Sequence, residues 1–131
     1  MLDTGSTRQD AALELDEAEI LVRLDGDCQL LADLCELSLA ELPRMIQPLA
    51  EAVRIEDATA VHRAAHRMKG SLSLFGHGPH IEDCITLEEM ALQHDLSRAA
   101  EIFSRLERHL EEFRAAATAL GKEIHARANR G

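Results

Sequence analysis

The sequence predicts an all-α domain: an antiparallel up-and-down four-helix bundle with an additional short N-terminal helix. Three observations point there. Apolar residues recur at helical spacing from Leu13 to Leu120, and strand-like alternation is absent. Hydrophobic residues make up 46% of the 131 residues but aromatics only 2%, so the core must come from Leu, Ile, Val, Ala and Met, which suit helix packing. The turns between periodic segments are short, and short turns make consecutive helices antiparallel neighbours.

Residues 1–12 are polar and read as a flexible lead-in. Leu13 to Leu24 forms a short amphipathic segment that stops at Asp25-Gly26-Asp27, where Gly26 suits a helix end and Asp27 an N-cap. The next helix spans about Cys28 to Arg54, with Leu31, Leu34, Leu42, Met45, Leu49 and Val53 as core contacts. Pro43 and Pro48 lie inside it and predict a kink or a break. Asp57 caps a third helix reaching Phe75. The turn Gly76-His77-Gly78-Pro79 then places a proline in the favoured first turn of a fourth helix, which runs to about Gln93. After His94-Asp95, a last helix runs from Leu96 to Leu120. The domain is thus expected over 13–121, with 122–131 a frayed tail.

The formal net charge of −10 removes the basic face that nucleic-acid binding rests on, and it disfavours an anionic membrane surface equally. No apolar stretch approaches a membrane span and no signal peptide is visible. Cys28, Cys35 and Cys84 are odd in number and lack CxxC spacing, so they read as small buried hydrophobes in a reducing compartment. The expectation is a soluble, cytoplasmic monomer.

The chemistry concentrates in Val61 to Gly76. At about 100° per residue, Val61, Ala65, Met68, Leu72 and Phe75 share one stripe, the core face. His66 lies far round the helix from it and Gly70 almost opposite, so His66 should be solvent-accessible, with Lys69 and Gly70 beside it one turn on. A glycine in an exposed helix interior costs about 1 kcal/mol against alanine, which close approach of another surface would explain. Lys69 sets a compact cation where an added phosphoryl group would bring negative charge.

His66-Arg67-Met68-Lys69-Gly70-Ser71 followed by Phe75-Gly76 resembles the signature of histidine-containing phosphotransfer (HPt) domains. Leu24-Asp25-Gly26-Asp27, Leu30-Leu31, Leu34, Glu41-Leu42-Pro43 and Leu87-Glu88 extend the resemblance over roughly 15–120. It implies a carrier in a multistep two-component phosphorelay, passing a phosphoryl group between receiver-domain aspartates. His66 matches the phospho-acceptor, Lys69 the phosphate-side cation, and Gly70 the clearance for the partner. Glu88 matches a position where some members place Gln to orient the imidazole. His62, Arg63, Arg67 and Ser73 would flank the docking face of a response-regulator receiver, and a sensor or hybrid histidine kinase would stand upstream. Leu72 and His77 depart from the family pattern, Leu72 on the core side.

No Gly-rich phosphate loop is present, so ATP is not expected as the direct donor, and the receiver would bring Mg²⁺. No metal of the chain's own is expected, although His62 and His66 have ligand spacing and His77 and His80 flank Pro79. The alternatives are a non-phosphorylated helical adaptor that docks a receiver, or a metal-binding bundle. A kinase dimerisation helix pair is disfavoured, because Arg67 follows the histidine where those usually carry an acid. Met1 and the lack of a linker favour a free-standing carrier. Leu74 falls on the outward half of its helix, either under the N-terminal segment or within an apolar docking patch.

Overall fold

The computed structural model describes residues 13–130, and the expected lead-in over 1–12 lies outside them. Among the described residues there are five α-helices: α1 (Glu17–Arg23), α2 (Cys28–Ile55), α3 (Ala58–Leu72), α4 (Pro79–Leu92) and α5 (Ala99–Arg130). A 3₁₀ turn, Ser73–Phe75, follows α3, and no strand occurs among the described residues.

Local chemistry sets the helix starts. The side chains of Asp16, Asp27 and Asp57 accept from the backbone N–H groups of Glu19, Leu30 and Ala60, each satisfying a donor that the first turn leaves orphaned. Gly26 turns out of α1 at φ +77°, a left-handed conformation that glycine adopts without Cβ strain. Pro79 occupies the first turn of α4.

Helix limits and continuity differ from the sequence reading at several points, the last helix starting at Ala99 rather than Leu96 and the third ending at Leu72 rather than Phe75 among them. The first helix begins at Glu17 rather than Leu13, because Asp16 caps it. The second is continuous through both prolines, so of the expected kink or break the break does not occur. Pro43 and Pro48 both stand on the exposed side, where water can take the carbonyls they leave unbonded. The last helix continues past Leu120 and Gly121 to Arg130. Ile124 is buried, and Arg127 bonds Glu17 of α1 and Glu123 of its own helix. That added anchorage holds a segment whose sequence reads as frayed.

The four longer helices close a ring: α2 packs on α3 and α5, and α4 packs on the same two. Inside it, Leu31, Leu42, Leu49, Val61, Ala65, Met68, Leu72, Leu87, Leu106 and Phe113 lose all access to solvent. Phe75 meets Phe113 edge to face at 5.3 Å, so two of the three phenylalanines sit together below the 3₁₀ turn. α1 lies across this end, where Arg23 donates to the Leu74 carbonyl at 2.9 Å. Leu74 is half-buried there.

Candidate functional site

The core stripe of α3 orients the site. Val61, Ala65, Met68 and Leu72 are wholly buried, which turns the opposite face outward and leaves the His66 side chain 66% exposed. Glu88 comes from α4, the helix packed beside α3, with its side chain only 8% exposed. Its Oε2 lies 2.6 Å from His66 Nδ1 and its Oε1 2.7 Å from Lys69 Nζ. One nearly buried carboxylate therefore joins the two residues that the sequence singles out, the histidine and the cation three residues on.

Burial acts most strongly on Glu88 and pushes its pKa up. The hydrogen bonds and charges of Lys69 and His66 together outweigh burial and hold it below the ordinary carboxylate value. An ionised carboxylate only accepts, so Nδ1 of His66 must be the donor. The neutral ring then carries its lone pair on Nε2. Geometry thus assigns the tautomer.

Gly70 is exposed, and a Cβ built on it would meet nothing within 4 Å. Neither packing nor a left-handed φ demands glycine at this position. Arg63 and Arg67 are exposed on the side of α3 facing α2, and Arg67 reaches Glu41 at 3.9 Å. They rim a shallow hollow floored by Met45, Pro48, Ala60 and Ala64. Ser73 is exposed and donates to the Gly70 carbonyl. His62 stacks on His66 with ring centroids 5.9 Å apart and planes 11° from parallel. His77 stands apart, paired with Glu82.

A family model described as the Hpt domain matches residues 33–116. The chain belongs to the Hpt domain family. His66, Lys69, Gly70 and Glu88 all lie within that span. The Hpt chain is also similar in structure to histidine-containing phosphotransfer protein B (HptB) from Pseudomonas aeruginosa PAO1. The TM-score is 0.72 at 24% identity, covering 88% of this chain and 98% of that one, and the likeness establishes a shared fold. Comparison with curated proteins gives no match.

Two features of this Hpt domain escape sequence reasoning. Asp83 of α4 is 2% exposed and binds Arg105 Nε at 2.8 Å and His109 Nδ1 at 2.5 Å, both on α5. Each partner is more than 20 residues away, so no local spacing signals the cluster. His80 is 1% exposed, and neither of its ring nitrogens has a hydrogen-bond partner. Its position two residues from a turn glycine reads as surface. The fold instead carries the ring under Phe113, centroids 5.2 Å apart.

The cysteine reading is corrected at one position. Cys35 and Cys84 are buried, and burial pushes their thiols up to about 11 and about 12, but Cys28 is exposed at the start of α2. Among the described residues, no three His, Cys, Asp or Glu side chains are grouped so as to hold a metal. Among the same residues, no helix is long and apolar enough to cross a membrane.

Proposed function

We propose that this Hpt protein carries a phosphoryl group on Nε2 of His66 between receiver-domain aspartates in a phosphorelay. The observation that carries the reading is the anchoring of His66 Nδ1 by nearly buried Glu88, on a side chain left 66% exposed. In transfer from a receiver, the Nε2 lone pair forms the N–P bond while the P–O bond of the aspartyl phosphate breaks, its electron pair returning to the aspartate. The Nδ1 proton stays on its bond to Glu88, which balances the positive charge developing in the ring. The reverse transfer follows the same path.

The other residues supply position and charge. Lys69 holds Glu88 ionised and stands near the arriving phosphate. Gly70 clears the approach of the partner's loops. His62, Arg63, Arg67 and Ser73 border the docking face, where the two guanidinium groups suit the acidic active site of a receiver. The domain, read as 13–121 and continued by α5, is an antiparallel up-and-down bundle, supported by the closed ring of packed helices. It acts as a monomeric carrier with no ATP site of its own and no cofactor, Mg²⁺ coming with the receiver. Its upstream partner is a sensor or hybrid histidine kinase, and its place is the cytoplasm.

The test is incubation with a panel of phosphorylated receivers and autophosphorylated kinases. The expected product is acid-labile and base-stable, as a phosphoramidate is. His66→Gln should abolish labelling and keep the helical circular-dichroism signal. Label that persists in this variant, or moves to His62, refutes the assignment; a wild-type chain that binds receivers without labelling is an adaptor.

A further inference from the structure

The proposed reaction leaves one neighbour of His66 without a chemical part. His62 stands one turn earlier on α3, half-buried, its ring stacked on that of His66. No hydrogen bond to the His62 ring occurs among the described residues, so its nitrogens remain available to respond to a change beside them.

Phosphorylation changes the charge there abruptly. At rest the site is balanced, because Lys69 and Glu88 form an ion pair at 2.7 Å. A phosphoryl group on Nε2 with the Nδ1 proton retained adds a net charge of about −1, the negative charge on its oxygens being partly offset by the positive charge in the ring. The guanidinium groups lie on the α2 side, where Arg63 borders the hollow under Met45 and Pro48 and Arg67 engages Glu41. On the α4 side the groups that face His62 are few. Glu88 acts through His66, and His94 shares a hollow with Ala58, Thr59, His62, Ala91 and Leu92. His62 is thus the residue against the acceptor ring that can gain a positive charge on demand.

We propose that His62 is a charge-balancing and positioning residue for the phosphorylated carrier: it takes up a solvent proton when the phosphoryl group arrives on His66 and releases it when the group leaves. The proposal rests on the phosphotransfer reading. It makes the exchange equilibrium depend on pH. Whatever favours the proton on His62 favours phosphate on His66, because the two binding events are linked reciprocally. Mild acid therefore draws phosphate from a receiver aspartate onto the carrier, and mild alkali returns it.

The experiment uses ¹⁵N-labelled protein with and without phosphorylation by potassium phosphoramidate, with the His62 ring nitrogens followed by NMR across neutral pH. Taking the ring-centroid spacing of 5.9 Å as the separation, one net negative charge in a water-like dielectric should raise the protonation midpoint of His62 by about half a pH unit on phosphorylation. The ³¹P signal of the phosphohistidine should show a matching step with pH, absent in His62→Gln. Equal His62 midpoints in the two forms, with His66 phosphorylated, overturn this role and leave the carrier reading intact. Absence of a ³¹P signal assignable to His66 overturns both.

Discussion

His80 should make this fold sensitive to acid well above the range in which carboxylates protonate. Its ring is buried with both nitrogens unpartnered, and burial, aided by the nearby His109, lowers its pKa from 6.5 to about 4 despite the opposing charge of Asp83. The unfolded chain takes a proton at His80 near the ordinary value, whereas the folded chain refuses it down to about 4. The stability that neutral His80 permits is therefore complete above about pH 6.5, declines as pH falls, and stops declining below about 4. A gap of about 2.5 units at 1.36 kcal/mol each amounts to roughly 3 kcal/mol, a large part of a small domain's stability. Urea unfolding followed by far-ultraviolet circular dichroism, in steps from neutral pH to about 4, measures it in the wild type and in His80→Leu. Acidic groups elsewhere titrate in both proteins, so the difference between the two curves isolates His80. The leucine variant should match or exceed the wild type at neutral pH, because each unpartnered buried polar atom costs about 1–3 kcal/mol. Its margin over the wild type should then widen by about 3 kcal/mol as pH approaches 4. Parallel curves for the two proteins would refute the reasoning.

Three further outcomes follow from the site and its supports. Gly70→Ala should raise stability by up to about 1 kcal/mol in thermal melts, since its Cβ enters open space. Gly70→Gln should stay folded while phosphoryl transfer from a receiver slows sharply in a time course; normal transfer would remove the clearance argument. Glu88→Gln should slow transfer, because the amide oxygen fixes Nδ1 as donor less strongly and no longer balances the ring. The wild type should lose the same support only as pH falls through the depressed Glu88 value, below the ordinary carboxylate range. Asp83→Ala should cost about 1–3 kcal/mol in urea unfolding, since Arg105 and His109 lose a buried acceptor, and Asp83→Asn should recover part of it.

The fold was largely legible because helices announce themselves locally. Asp27, Asp57 and Pro79 mark starts through bonds within one turn, and the stripe from Val61 to Phe75 needs only the helical period. The misjudged boundaries depend on tertiary support. Gly121 ends a helix on local propensity, yet Ile124 and Arg127 find partners that hold it on to Arg130. The exposure of His66 followed from the wheel, whereas Glu88 was reachable only through the family resemblance, because nothing local says that α4 lies beside α3. His80 and Asp83 were illegible for the same reason, since their surroundings come from α5.

Asp83 and Glu88 stand five residues apart on α4, which turns them about 140° from one another. The first faces α5 and the second faces α3, each nearly sealed from water and matched to partners on its own side. This makes α4 a key cut on two edges. Sliding it by one residue, or rolling it to improve one match, strips the other carboxylate of its partners in a setting where an unmatched charge is expensive. The angular setting of the reactive imidazole is thereby referred, through α4, to α5 as well. Single-residue insertions between Asp83 and Glu88 are the changes this arrangement tolerates least, even where every side chain at both sites is kept.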